Sequence, residues 1–455
     1  MDRKKLGADL TQGNVLHQLT LFVLPLILAN FVQQIYNTVD MMVIGQYVGN
    51  AGTVGVSVGG EAATLLTFVA IGFGSAGQIY VSQLSGAREM KSLNETIGTL
   101  LSFMLLISII FAAVCIGGCN ILLGWLNCPE EAMYQAGNYM RIVSLGLPFV
   151  FGYNAVCGIL RGMGEGKRPL IFISIAATAN IVFDLILVAV FQMEAAGTAI
   201  ATVLAQMASF IACFYSLYRH REHLQLKFGC RYFIPCKEHL KVLLALGIPL
   251  TAQSMLVQVS LLICSARINL YGVIAASTNS IGNKIQKLVN IFTSSIITGA
   301  GAMIGQNLGA HKYDRVKKIV GTSLAGALLF SILGSMAVNL FPHEVYRMFT
   351  KDADVIAFGE TYLHIATITF LLSAIQGPFQ AVITGCGNVR LSFISGLLDG
   401  VVLRLGISFF GAYVLELGVV GFFYGNALAR LAPVSIGIVY YLTGKWKTRK
   451  LLSEK

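Results

Sequence analysis

Apolar residues run through this chain in stretches too long and too free of charge for a water-soluble helix, and short polar or basic segments punctuate them. Residues 18–39, 195–218, 242–266 and 361–389 hold no Asp, Glu, Lys or Arg, and each reaches the roughly 20 residues that cross a bilayer as a helix. The pattern predicts six spans at residues 16–45, 54–82, 96–118, 134–160, 169–190 and 195–218, and six more at 242–270, 276–306, 319–341, 357–384, 391–412 and 418–443. The apolar-polar alternation of a membrane-spanning strand is scarce. The expected fold class is all-α: a polytopic membrane protein with twelve transmembrane helices in two pseudo-symmetric six-helix bundles.

The two bundles are read from a repeat. Pro25-Leu26 returns as Pro249-Leu250, 224 positions later, and Gln83, Gly86 and Ala87 return as Gln306, Gly309 and Ala310, 223 later. Gly162 and Gly164 return as Gly385 and Gly387, and Leu204-Ala205 as Leu428-Ala429. An even number of spans per half makes the repeats parallel, related by an axis along the membrane normal, as in one class of secondary transporters. The expected division is a tail at 1–15, a first bundle at 16–218, a linker at 219–241, a second bundle at 242–443 and a closing tail at 444–455.

Composition adds little beyond this, since 56% hydrophobic and 12% charged residues fit only a membrane protein. The net charge of +11 raises the question of nucleic acid, and the placement of the charges answers it. Lys and Arg gather in alternate loops: Arg3, Lys4 and Lys5 before the first span, Lys227 and Arg231 in the central linker, Lys312 and Arg315 between spans eight and nine, and Lys455 at the end. The opposite loops hold Arg347 and Lys351. Positive-inside logic puts both termini in the cytoplasm. The accompanying expectations are the cytoplasmic (inner) membrane, the lipid bilayer and, for a secondary transporter, a small-molecule substrate as partners, no nucleic acid, and a monomer. Nine cysteines without a CxxC pair or ligand spacing read as small core residues.

Asn30, Gln33, Asn37 and Asp40 follow a 3, 4, 3 spacing on the first helix, so they share a face that cannot look at lipid. Asn180 and Asp184 stand i, i+4 on the fifth; Thr198, Thr202 and Gln206 repeat every fourth residue on the sixth. Carboxylates, an amide and hydroxyls are the hard oxygen set for Na⁺ or a shared proton. The plainer alternative is that each acid is separately hydrogen-bonded or paired with a cation. Glu61 is either a third acid or solvated. The second half has no matching acids: Asp40 aligns with Ile263 or Cys264, Asp184 with Ile407 or Ser408, and Thr202 with Asn426. It carries Arg404, Arg430, Lys284 and Lys287 instead, with Asp399 as the main acid, and Asn283 beside the lysines. These line a substrate cavity or simply neutralise Asp399 and snorkel to an interface. Pro25 removes a backbone hydrogen bond within the first span and permits a bend, for function or for packing alone.

Other patterns carry less. Gly72-x-Gly74-x-x-Gly77 sits in mid-span with no preceding strand, and Gly55/Gly59 and Gly301/Gly305 fit close helix packing. No nucleophile set or metal site apart from Na⁺ is evident, so no enzyme and no cofactor are expected beyond H⁺ or Na⁺ as coupling ion. His364, well inside a span, is expected buried and neutral.

The run Val39-Asp40-Met41-Met42-Val43-Ile44-Gly45, the Gln83-x-x-Gly86-Ala87 exit of the second span, Arg161-Gly162-x-Gly164, and Asn180-x-x-x-Asp184 occur in an order and duplication that resemble the multidrug and toxic compound extrusion (MATE) family. The resemblance covers nearly the whole chain. It implies two six-helix bundles around a V-shaped cleft and efflux of amphipathic, often cationic compounds driven by inward H⁺ or Na⁺. By the same resemblance Asp40, Asn180, Asp184 and Thr202 are the cation-binding residues of the first bundle and Pro25 the hinge. Asn30, Gln33, Asn37, Gln258, Asn283, Lys284 and Lys287 are substrate-cavity candidates. Acids that one branch of the family carries in helices seven and ten are replaced here by Gln258 and Ser373, so that second site is expected to be missing. The rival reading is a flippase for an anionic lipid-linked cell-envelope precursor, with Lys284, Lys287, Arg404 and Arg430 as phosphate contacts.

Overall fold

The computed structural model of the protein describes residues 9–48, 50–126, 128–222 and 233–452. Arg3, Lys4, Lys5, Lys227, Arg231 and Lys455 lie outside them, as does Cys230. Among the described residues there are helices and no strands, as hydrocarbon requires when each segment must satisfy its own backbone N–H and C=O groups. The first half comprises α1 (Val15–Tyr47), α2 (Asn50–Ala87), α3 (Met90–Gly117), α4 (Cys119–Trp125), α5 (Glu130–Leu145), α6 (Leu147–Gly162), α7 (Lys167–Asp184), a π-helical turn (Leu185–Val190) and α8 (Glu194–Arg219). The second comprises α9 (Lys237–Asn269), α10 (Val273–Gly309), α11 (Tyr313–Leu340), α12 (Pro342–Arg347), α13 (Ala353–Gly385) and α14 (Val389–Leu397). It ends with a π-helical segment (Leu398–Leu405), α15 (Gly406–Phe409), a further π turn (Phe410–Val414), α16 (Val419–Leu428), α17 (Leu431–Leu442) and α18 (Lys445–Thr448).

Among the described residues eleven helical stretches are long and apolar enough to cross a membrane, and the pair α5–α6, bent by 45°, supplies a twelfth. The bend corrects the continuous span expected at 134–160. Pro148 at the start of α6 has no N–H to give the helix behind it, and the rod breaks at Gly146. The second half begins earlier than expected, with α9 at Lys237 in place of residue 242. The duplication reaches the turns: Arg88 and His311 adopt φ of 59° and 54°, Gln192 and Glu416 52° and 54°, and Gly164 and Gly387 81° and 67°. These pairs stand 223 or 224 positions apart, and two of them place side-chain-bearing residues in the left-handed region that glycine normally fills.

The chain forms two compact units that differ from the 16–218 and 242–443 partition. Unit one holds Asp9 and Leu24–Thr251; unit two holds Leu10–Val23 and the chain from Ala252 onward. Each leading helix therefore changes unit beside its internal proline: α1 just before Pro25, α9 just after Pro249.

Within unit one, α2 packs on α5 and α6, and α7 on α8. A Cβ on Gly158 of α6 would stand 2.2 Å from the Gly74 carbonyl oxygen of α2, so the glycine run at 72–77 is a packing surface. Gly55 and Gly59 likewise let α2 approach Ala136 of α5, where a Cβ would meet backbone atoms at 2.9 and 3.1 Å. Gly301 does not behave this way. It meets nothing within 4 Å, which corrects its assignment to a packing pair.

Within unit two, α10 runs along α13 and α11. The segment ahead of α1 is gripped by its backbone. Gln306 accepts from the Leu10 amide (3.1 Å), Asn307 donates to the Leu10 carbonyl (3.0 Å), and Lys312 donates to the Thr11 carbonyl (2.8 Å) and hydroxyl (3.1 Å). Arg315 donates to the Gln12 and Gly13 carbonyls, both at 2.6 Å. His364 is half-exposed, not buried: its Nδ1 lies 2.5 Å from Asn339 Oδ1 and its Nε2 3.6 Å from Glu360. Seven of the eight described cysteines are buried, Cys236 being the exception.

Candidate cation site

The acids of unit one meet where α1 ends beside the π turn that follows α7. Val43 and Ile44 of α1, with Val48 just beyond it, pack with Val188 of the π turn, against Val39 and Val56. This apolar cluster fixes the end of α1 to the π turn about one helical turn beyond Asp40. Asp184 is the last residue before the backbone widens to π geometry, a local feature often found at functional positions. The carboxyl groups of Asp40 and Asp184 lie close enough to interact directly.

Asn180 and Asp184 are almost fully enclosed, at 2% and 1% exposure, and Asp40 is half-buried. Four oxygens here are buried without a hydrogen-bond partner: Asp40 Oδ1, Asn180 Oδ1 and both carboxylate oxygens of Asp184. All four are acceptors, so they cannot satisfy one another. A proton shared between the carboxyls, or a cation among the oxygens, removes the conflict. Among the described residues no ion pair joins a lysine or arginine to either acid. Thr202, on α8 against α7, is half-buried, while Thr198 is enclosed and donates to the Ala195 carbonyl at 2.9 Å.

Two tyrosines belong to this neighbourhood and were not anticipated. Tyr36 of α1 and Tyr139 of α5 both lie within electrostatic reach of Asp40 and Asp184. Tyr36 stands four residues before Asp40 and was open to the same spacing argument; Tyr139 carried no signal, because nothing in the sequence brings α5 to this point. Glu61 is exposed and takes no part.

The cavity candidates are more dispersed. Pro25 is buried inside an unbroken helical assignment of α1. Asn30 is half-buried, Gln33 and Asn37 are exposed, and Gln258 is half-buried on α9. Lys284 and Lys287 are exposed on α10. Asn283 between Asn279 and Tyr362 is already engaged at both ends of its amide, at 3.3 and 3.2 Å.

Unit two answers the same positions differently. The Cys264 thiol lies 3.7 Å from the Ser408 hydroxyl, which identifies these two, and not Ile263 and Ile407, as the counterparts of Asp40 and Asp184. The shift of 224 then sets Arg404 opposite Asn180 and Asn426 opposite Thr202. Arg404 is 3% exposed, donates to Asp399 at 2.7 Å and also hydrogen-bonds Asn426. Arg430 donates to Gln376 at 3.0 Å.

The MatE family model matches residues 25–186 and again residues 249–410, two blocks separated by the same 224 positions. The chain belongs to the MatE family. It is a multi-pass membrane transporter of the multidrug efflux class, and small molecules are its substrates. Among curated relatives it is 28% identical over 448 residues to a probable multidrug resistance protein, YpnP, of Bacillus subtilis, covering 98% of this chain and 99% of that one. Among solved structures it superposes on an outward-facing multidrug resistance MATE transporter of the MOP superfamily with a TM-score of 0.91, at 18% identity over 98% of this chain and all of that one. A MOP transporter from Pyrococcus furiosus, described as having a binding pocket of reverse polarity, gives 0.90 at 18% identity over 99% of this chain and 100% of that one. For the MatE fold, the likeness is thus far closer in backbone than in sequence.

Proposed function

We propose that this MatE protein is a secondary active antiporter that exports amphipathic organic compounds in exchange for H⁺ or Na⁺, with Asp40, Asn180, Asp184 and Thr202 as the ion-loading residues. The observation that supports this reading is the cluster of four buried acceptor oxygens without a donor. A carboxylate at mid-membrane costs on the order of 3 kcal/mol even on the lenient insertion scale, and two facing each other cost more. Loading a proton or Na⁺ relieves that cost in whichever conformation holds the acids together. An ion that binds one conformation better than another shifts the balance between them by that difference, which is what coupling requires. Pro25, beside the point where α1 changes unit, is the hinge of this proposal.

The remaining assignments belong to the same reading: a monomer in the cytoplasmic membrane, both termini in the cytoplasm, no nucleic-acid partner. The rival flippase for an anionic lipid-linked precursor draws on four cations, and Arg404, one of them, is already committed to Asp399 and Asn426.

The test is substrate efflux from proteoliposomes under imposed pH and Na⁺ gradients, applied separately. Asp40→Asn is expected to fold normally and lose gradient-driven efflux; undiminished efflux would sink the assignment. A response to only one of the two gradients in the unaltered protein names the coupling ion.

A further inference from the structure

In unit one, the stretch leading into α9 lies against α3. Ser102 donates to the Phe233 carbonyl at 2.6 Å, and the Cys236 amide donates to the Thr99 hydroxyl at 3.0 Å. These contacts bring together three ligand-bearing side chains from distant parts of the sequence: Glu95 of α3, Cys236 just ahead of α9, and His239 in its first turn. One ligand atom from each, the carboxylate oxygen, Sγ and a ring nitrogen, lies within 4.8 Å of the other two. His239 is 7% exposed.

The histidine is oriented from behind. Its Nδ1 is 2.9 Å from the Tyr80 hydroxyl and 3.2 Å from the Thr96 hydroxyl, while Nε2 points at Glu95 Oε2, 3.2 Å away. A metal-ligating histidine is held in this manner, one ring nitrogen on an outer partner and the other free to ligate. A tetrahedral zinc ion with bonds of about 2.0–2.1 Å keeps its nitrogen and oxygen ligands about 3.3 Å apart, close to the spacing found. A proton between Nε2 and the carboxylate would need no third partner. A thiol at their side is superfluous to a hydrogen bond and is the natural third ligand of a borderline-soft cation.

We propose that Glu95, Cys236 and His239 form a binding site for a divalent cation of the zinc class, which fastens the start of α9 to α3. It is separate from the coupling-ion site in chemistry: nitrogen, sulfur and one carboxylate oxygen here, oxygen alone there. Binding requires Cys236 as the thiolate, and it leaves one coordination position for water or a fourth ligand.

The experiment is Co²⁺ titration of the full chain in detergent after chelation, in a Cys230→Ser background, where Cys236 is the one remaining cysteine that is not buried. The expected result is uptake of one equivalent, with thiolate-to-cobalt charge-transfer absorption in the near ultraviolet that Zn²⁺ displaces. Cys236→Ser abolishes that absorption, and His239→Gln removes stoichiometric uptake. Tyr80→Phe, a positioning change, weakens Co²⁺ binding by about 10-fold. As a second readout on unsubstituted Cys236, Zn²⁺ slows its alkylation by a maleimide. No stoichiometric uptake, or the same absorption in Cys236→Ser, overturns the proposal, as does alkylation indifferent to Zn²⁺.

Discussion

At four positions related by the 224-residue shift, unit one carries Asp40, Asn180, Asp184 and Thr202, and unit two carries Cys264, Arg404, Ser408 and Asn426. The two share π-helical turns at Leu185–Val190 and Phe410–Val414, although unit two has a further π-helical segment at Leu398–Leu405 and runs as the single helix α13 where unit one bends between α5 and α6. What differs is where the positive charge comes from. Unit two carries its own cation, the Arg404 guanidinium, tethered by a side chain and held by Asp399 and Asn426. Unit one presents oxygens of matching polarity and no resident cation. One copy of the duplicated fold carries its own cation; under the proposed function the other is filled from solution. A site that is always occupied cannot report a gradient; a site that exchanges its occupant can.

The sharpest way to break this comparison is to copy the second solution into the first. Asn180→Arg places a guanidinium beside Asp40 and Asp184, as Arg404 stands beside Asp399. The expected outcome is a folded protein with an unchanged or higher melting temperature in detergent, and gradient-driven efflux reduced to that of empty vesicles. Retained efflux would mean that exchange at this place is not the driving event.

Next in size is the stability contrast between the two acids. Asp399→Ala strands a buried guanidinium and is expected to cost about 3–5 kcal/mol, read as a fall in melting temperature. Asp184→Asn removes one of two facing buried carboxylates and strands no cation, and the melting temperature should hold or rise. Equal losses for the two would erase the distinction between a filled and an exchanging site.

A smaller effect is expected when the pair in unit two is removed together. Replacing Asp399 and Arg404 both by leucine should come within about 1–2 kcal/mol of the unaltered protein, because a buried ion pair and a packed apolar pair are close in free energy. The double-mutant cycle against Asp399→Ala measures how much of the single loss is the stranded charge. The smallest effect belongs to the tyrosines. Tyr36→Phe and Tyr139→Phe each delete one hydroxyl near the acids and should shift the apparent affinity for the coupling ion by about 0.5–1.5 kcal/mol, measured as the ion concentration for half-maximal efflux.

The helices were legible because the bilayer imposes one simple demand, a long apolar run, and the chain meets it twelve times. The break between α5 and α6 was not, since hydropathy averages over Gly146-Leu147-Pro148 and does not see that the amide missing from Pro148 interrupts the rod. Asp40, Asn180 and Asp184 were legible because charge and amide within an apolar run need an explanation, and helical spacing puts Asn180 and Asp184 on one face. Tyr139 was hidden by its ordinary chemistry, since a tyrosine in a membrane helix asks for none. His364 misled for a related reason: its position in the run suggested enclosure, whereas its side chain lies beside Glu360 and Asn339. The Glu95, Cys236 and His239 trio was out of reach of spacing rules, because two of its members stand beside the start of α9 and the third is separated from them by the rest of unit one.

The grip on residues 10–13 has a practical consequence. Gln306, Asn307, Lys312 and Arg315 hold mainly amides and carbonyls, groups that nearly every amino acid supplies, so at the exposed Gln12 the side chain is free to drift while the length of the stretch is not. Exchanging the exposed Gln12 should be tolerated far better than deleting it, whereas Leu10, 1% exposed, and Gly13, at φ 77°, are tied to their own residue types; a fusion tag attached upstream leaves the anchorage whole where a truncation through Gly13 unties it.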